Sequence, residues 1–127
     1  MSASEQALAN LAIAALAADE KGGVDPVALD VSGPLPLTDV FYIVTGRNER
    51  NVGAIASEVE DKLNEAGVKT LRREGKAEGR WVLMDFGDLI VHVFHEEDRL
   101  YYGLERLWKD CPVLSLPKSI EGSEQLD

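Results

Sequence analysis

Apolar residues first recur at helical spacing. Ala7, Leu8, Leu11, Ala12, Ala15 and Leu16 make one stripe. Ser4, followed by Glu5 and Gln6, is a suitable start for that helix, because a serine side chain accepts from the free N–H groups of a first turn. The run ends near Asp19, and Gly22-Gly23 breaks it. Val27-Ala-Leu-Asp-Val31 predicts a short strand, and Gly33, Pro34 and Pro36 then force a loop. Val40-Phe-Tyr-Ile-Val-Thr45 is β-branched and aromatic, with apolar residues on both parities. That pattern fits a central strand buried on both faces.

The helical period returns after Gly46 and Arg47. Asn48 is a good N-cap, and Val52, Ile55, Ala56, Val59 and Leu63 give one apolar face. Gly67 stops this helix as a glycine just past its end. Val68-Lys-Thr-Leu71 predicts a further strand. Strand, helix and strand with short links predict a right-handed βαβ unit and a parallel pair. Residues 72–80 read as a polar loop with two glycines.

Trp81-Val-Leu-Met-Asp-Phe86, Gly87-Asp88 and Leu89-Ile-Val-His-Val-Phe94 form the most informative segment. A two-residue turn that begins with glycine suits a type II′ hairpin, and it sets the register. Phe86 pairs with Leu89, Met84 with Val91 and Val82 with Val93, so this face is apolar and goes to the core. On the other face Asp85 meets Ile90, Leu83 meets His92 and Trp81 meets Phe94. That face mixes aromatics, aliphatics, a carboxylate and an imidazole. Glu96, Glu97 and Asp98 then open a helix at the end where carboxylates suit the dipole. It is expected to run through Trp108, with Leu100, Leu104 and Leu107 on one stripe and Tyr101, Glu105 and Trp108 on the next. The fold class is α/β (α+β): one domain over residues 1–117, a mixed β-sheet packed with helices, and a polar tail at 118–127 expected to be disordered.

Composition narrows the partners. The chain has 127 residues, with 23 acidic and 13 basic side chains and a net charge of −10. Such a surface repels phosphate polyanions as a whole, so a basic protein, even one within a ribonucleoprotein, is a better partner than DNA. One cysteine, Cys111, excludes an internal disulfide framework and a Cys-rich zinc module. Residues 1–18 lack the basic start of a signal peptide, and no apolar stretch is long enough for a membrane span. The expectation is a soluble, cytoplasmic protein.

Few residues suggest reaction chemistry. His92 and His95 have opposite strand parity, so a shared metal ion is disfavoured. His95 is expected to be solvated at a strand end. Asp88 is the ordinary polar residue of a Gly-Asp turn. Asp85 lies inside a strand and needs a partner, with Arg99 the candidate within this chain. Thr45-Gly-Arg-Asn48 precedes a helix start, an arrangement able to bind anions, although a plain N-cap explains it as well. Lys69, Arg72, Arg73, Lys76 and Arg80 concentrate cations in one stretch, either a solvated loop or a place where RNA phosphate comes near. Neither a Ser/His/Asp set nor a general-base pair stands out. The mixed sheet face is the best functional candidate, unless another helix of the chain, such as the N-terminal one, covers it.

The runs Thr38-Asp39, Ile43-Val-Thr-Gly46, Arg50, Val52, Ile55-Ala56, Trp81-Val-Leu-Met-Asp85, Gly87-Asp88-Leu-Ile-Val-His-Val-Phe94, Arg99, Tyr102, Leu104-Glu105 and Leu107-Trp108 resemble the ribosomal silencing factor, or Iojap-related, family over residues 6–109. The resemblance implies a nucleotidyltransferase-like topology without catalytic carboxylates, no cofactor and no metal. It implies a non-enzymatic translation repressor that binds ribosomal protein L-fourteen of the large ribosomal subunit. There it would block subunit joining when nutrients are scarce, with homodimer formation possible for members. The family commonly has a small hydroxyl residue after its Thr-Gly and Arg-His-Val in the following helix, where this chain holds Arg47-Asn48 and Arg50-Asn51-Val52. Trp81, Leu83, Asp85, His92, Phe94, Arg99 and Tyr102 are the residues expected to form or support the partner face. Two other readings remain: a small nucleotidyltransferase-like nucleotide-binding enzyme, which would use Gly46 and Asp85 together, and a purely homodimeric scaffold.

Overall fold

The computed structural model describes residues 2–117, so the tail expected at 118–127 lies outside the described residues, as does the side chain of Tyr101. In chain order the elements are α1 (Glu5–Glu20), β1 (Val24–Asp30), β2 (Val40–Gly46), α2 (Glu49–Glu65), β3 (Arg72–Glu74), β4 (Trp81–Asp85), β5 (Leu89–His95), α3 (Glu96–Tyr102), α4 (Leu104–Leu107) and β6 (Val113–Leu114). The strands form one six-stranded sheet in the order β3-β4-β5-β2-β1-β6. Its one parallel pair is β2 with β5; every other ladder is antiparallel.

The centre follows the hydrophobic pattern. All residues of β2 are buried, as both-parity apolar residues require. Val40, Tyr42 and Val44 pack with α1 and α2 on one face, while Phe41 and Ile43 join Leu29, Val31 and Phe94 on the other. Burying each such aliphatic or aromatic side chain contributes about 1.5–3 kcal/mol before entropy is counted. In the hairpin, Trp81 pairs with Phe94, Leu83 with His92 and Asp85 with Ile90, the register expected from the turn. Gly87 supplies the positive φ that the turn needs, +92°.

Both long helices begin as expected. Ser4 Oγ accepts from Ala7 N–H at 3.1 Å, and Asn48 Oδ1 accepts from Asn51 N–H at 2.8 Å. The five apolar residues proposed for α2 are its buried face. In α1 the face is rotated. Ala7, Leu11, Ala14, Ala15 and Ala18 are buried, but Leu8 and Leu16 are each 40% exposed. This helix is apolar almost all round, so periodicity alone could not choose the face; small alanines let it sit close to α2 and the sheet.

Three expectations are corrected. Val68–Leu71 is not a strand, and the expected parallel pair through it does not exist. Leu71 is 67% exposed, and the strand lies one step on, at Arg72–Glu74, antiparallel to β4 within the expected polar loop. Charged residues suit this position because β3 is a sheet edge, where charge discourages further strand addition. The helix expected to run to Trp108 breaks at Gly103, whose φ is +56°. The other edge carries β6, paired with β1, for which the sequence pattern gives no expectation.

Gly46 joins β2 to α2 at very close range. A Cβ there would lie 2.8 Å from the Val52 backbone nitrogen and 2.7 Å from Val52 Cγ2. Backbone cannot yield as a flexible side-chain tip would. Gly46→Ala should therefore cost about 1–3 kcal/mol in urea unfolding, whereas Gly53→Ala, with open space at its Cβ, should stabilise slightly through helix propensity.

Candidate protein-interaction face

The face of the sheet away from α1 and α2 carries the mixed set expected from the hairpin register. Trp81, Leu83, Asp85 and Ile90 are half-buried there. The N-terminal helix does not cover this face, because its small residues dock it on the opposite side with α2. Cover comes instead from the α3–α4 segment, through Leu104, Trp108 and Cys111. Cys111 is a free, half-buried cysteine.

Aromatic rings organise the centre. Trp81 stacks on Phe94 at 4.8 Å and meets Tyr102 at 4.8 Å. Phe41 meets His92 edge-on at 5.0 Å and Trp108 at 5.5 Å. Offset and edge contacts of this kind add to simple burial. Trp81 Nε1–H donates to His92 Nδ1 at 3.2 Å. An indole can only donate, so Nδ1 is the acceptor and the neutral imidazole carries its proton on Nε2. That nitrogen is buried without a hydrogen-bond partner among the described residues. Burial pushes the imidazole down to about 4.

The expected partner residues separate into two roles. Trp81, Leu83, Asp85 and Tyr102 retain exposed surface, with Tyr102 49% exposed. Phe94 is 0% exposed and His92 4%, so as the chain stands they support Trp81 from beneath and do not offer surface of their own. Sequence reasoning overlooked two exposed leucines. Leu100 and Leu107 are 75% and 74% exposed, although they were expected on a packed stripe with Leu104. Gly103 was the available signal: a helix broken there cannot keep one continuous stripe.

Arg99 does not pair with Asp85. Its guanidinium forks onto Glu105, Nε to Oε1 at 3.2 Å and Nη2 to Oε2 at 3.0 Å. It also donates to Thr45 Oγ1 at 2.8 Å and to the Asp25 carbonyl. It thus fastens the α3–α4 break to the ends of β1 and β2. The hydrogen bonds from Arg99 hold the Glu105 carboxyl below the usual range. Asp85 is satisfied by its own turn, where Oδ1 accepts from Gly87 N–H at 2.8 Å. His95 is not solvated but 7% exposed; its Nδ1 caps α3 by accepting from Glu97 N–H at 3.1 Å.

The basic stretch is largely committed to carboxylates. Arg72 pairs with Glu74, Arg73 with Glu60, and Arg80 with Glu49, Glu97 and Asp98. Gly46 and Asp85, which an enzyme of the nucleotidyltransferase type would use together, lie at opposite ends of the sheet. Gly46 is opposite His95 and Asp85 opposite Ile90, a separation along β5 of roughly 17 Å at strand rise. Among the described residues, no group of three or more His, Cys, Asp and Glu side chains could hold a metal ion. No helix among them is long and apolar enough to cross a membrane.

A family model described as "Ribosomal silencing factor during starvation" matches residues 3–126. A ribosomal silencing factor of Bacillus subtilis is 46% identical over 106 residues, covering 84% of this chain and 90% of that protein. The chloroplastic Iojap protein of Zea mays is 30% identical over 106 residues, covering 81% of this chain and 45% of that protein. A crystal structure of a protein from Chromobacterium violaceum superposes with a TM-score of 0.76 at 40% identity, covering 84% of this chain and 87% of that one. One from Bacillus halodurans gives 0.74 at 42% identity, covering 88% and 100%.

Two measurements test the energetics of this face. His92 takes up a proton near 6.5 when unfolded but only near 4 when folded. Between those values the unfolded chain binds more protons, so stability falls as pH falls through that window and is unaffected above it. The wild type should lose about 3 kcal/mol more than His92→Phe between pH 7 and 4; parallel stability curves for the two would contradict this. Arg99→Ala leaves Glu105 and Thr45 without their partner and should cost about 2–4 kcal/mol in chemical denaturation.

Proposed function

The chain belongs to the ribosomal silencing factor family, and we propose that it represses translation by occupying ribosomal protein L-fourteen on the large subunit and blocking association of the small one. The observation that carries this reading is the half-open aromatic face around Trp81. An aromatic anchor surrounded by aliphatic side chains, with a polar rim, is the composition of a binding hot spot. Leu83 follows Trp81 on the same face of β4, Ile90 lies opposite Asp85 on β5, and the Tyr102 ring meets Trp81 at 4.8 Å.

The net charge of −10 supports a basic protein target, since complementary charge speeds encounter while apolar anchors hold the complex. Occlusion requires surface and affinity, not bond chemistry, so the factor acts in this reading without catalysis, cofactor or metal. It works in the cytoplasm, under nutrient limitation. Self-association would draw on the same face and compete with the ribosome. A peripheral contact with ribosomal RNA would fall to Lys69 and Lys76, because the arginines of that stretch are held by carboxylates.

Tagged protein should retain large ribosomal subunits and lower the yield of joined ribosomes in a reassociation assay. Trp81→Ala should weaken binding to isolated L-fourteen by about 1–3 kcal/mol. Asp85→Asn keeps the turn acceptor but removes the charge, so it should mainly slow association. Wild-type affinity in a folded double variant would reject the assignment of this face.

A further inference from the structure

The helix side of the sheet, opposite the aromatic face, carries a cavity towards its β6 edge. Tyr42 of β2 stands opposite Ala28 of β1, and Ala28 opposite Leu114 of β6. These three side chains therefore form one row on one face, and all three pack with the core under α1 and α2. Helix α2 lies over β2, β4 and β5, and α1 over β1, β2 and β5. Past the last turns of α1 the row borders a cavity of about 370 Å³, with Ala15, Asp19, Ala28, Tyr42, Leu114 and Leu116 in its walls. Small side chains at Ala15 and Ala28 leave room there beside Tyr42.

The independent observation is Tyr42, which is only 1% exposed. Among the described residues its hydroxyl has no hydrogen-bond partner, yet it is not sealed within protein as Thr38 Oγ1 and His92 Nε2 are. The sliver of surface it keeps opens on the cavity that Tyr42 lines. A buried phenol ordinarily finds a partner, because an unpaired hydroxyl away from water costs free energy. Burial, and after it the Asp19 carboxylate, pushes this phenol well above its ordinary value, so it stays a neutral hydroxyl. Asp19 is the one charged residue in the walls, and its carboxylate makes no ion pair among the described residues. Two unspent polar groups thus meet an apolar cavity, the composition of a small-molecule site.

We propose that this cavity binds a small molecule with an apolar body and one primary ammonium group. The body packs against Ala15, Ala28, Leu114 and Leu116. The ammonium donates to the Asp19 carboxylate and to the phenolic oxygen of Tyr42, two acceptors that match a group able only to donate. A ligand carboxylate would instead meet Asp19 with no lysine or arginine in the walls to offset it, on a chain whose net charge is −10. An uncharged ligand could use the phenol but would leave Asp19 unpaired. The volume lies in the range of small-molecule sites. The cavity shares no residue with the aromatic face, so the proposal is independent of the ribosome-binding reading.

The test is a nuclear magnetic resonance titration of the full chain at neutral pH and constant ionic strength. The probes are phenethylamine, its neutral analogue phenethyl alcohol, its acidic analogue phenylacetate, and ethylamine, which lacks the ring. Saturable shifts of the Tyr42 ring and of the Ala28 and Leu114 methyl groups are expected with phenethylamine. Phenethyl alcohol should bind about tenfold more weakly, because the charge-assisted contact with Asp19 is lost. Phenylacetate and ethylamine should not saturate. Asp19→Asn, on an exposed residue, should remove the preference for the amine over the alcohol. Tyr42→Phe keeps the ring and forfeits no hydrogen bond of the fold, and should weaken the amine about fivefold. No saturation with phenethylamine, equal binding of amine and alcohol, or unchanged binding in either folded variant would overturn the proposal. So would shifts of the same groups on raising the protein concentration without ligand, which would give the cavity to a second copy. Nuclear Overhauser contacts from Tyr42 to Ile120 or Leu126 in the free chain would give it to residues 118–127 and overturn the proposal equally.

Discussion

The parallel pairing of β2 with β5 is the constraint from which the rest of the molecule follows. These strands are bonded from Val40 opposite Leu89 to Gly46 opposite His95, and both are almost wholly buried. Such strands must be covered on both faces. On one side α1 and α2 provide that cover with alanine, valine, isoleucine and leucine. On the other, no long helix is available. The sheet there is closed by its own aromatic rings and by a short, broken helical segment, and the edge of that cover leaves Trp81, Leu83 and Ile90 half open. Among the described residues, the proposed interaction face is the part of this side of the sheet that the α3–α4 segment leaves half open.

Gly103 and Arg99 decide how far that incomplete cover reaches. A helix continued from Glu96 to Trp108 would place Leu100, Leu104 and Leu107 together, and all would need burial. The left-handed conformation at Gly103 turns Leu104 and Trp108 onto Phe41 and its neighbours, and leaves Leu100 and Leu107 outward. Arg99, fastened to Glu105, Thr45 and Asp25, holds the break against the sheet. A single side chain therefore ties the exposure of Leu100 and Leu107 to the core strands.

Much of this was legible in the sequence where local chemistry and packing agree. The hairpin register follows from Gly87 and strand parity, and it assigned each residue of β4 and β5 to its face. Asn48, Gly67 and the α2 stripe were equally plain. The errors have physical reasons. Edge strands carry little hydrophobic signal, so the pattern at Arg72–Glu74 predicts a loop and the more apolar run before it a strand. In α1, apolar residues surround the helix, and only tertiary contact selects the alanine side. Strand parity points Asp85 to a long-range partner such as Arg99, but an aspartate beside a turn satisfies itself most easily through the turn's own N–H, here that of Gly87. Phe94 belonged to the right face but lies beneath it, because parity tells the side of a sheet and not the depth of cover.

The charge distribution completes the connection between fold and surface. Carboxylates gather at the start of α3, where the helix dipole favours them, and Arg80 reaches from the loop before β4 to join two of them and Glu49. That ion-pair group stitches the hairpin to the starts of α2 and α3 at the carboxyl end of the sheet. It commits Arg80, one of the three arginines of the basic stretch, to carboxylates of this chain. In the proposed reading, the net charge of −10 would draw in a basic protein partner at long range, and the rings and aliphatic side chains of the half-open face would hold it. A phosphate backbone would have to work against the first and find little in the second.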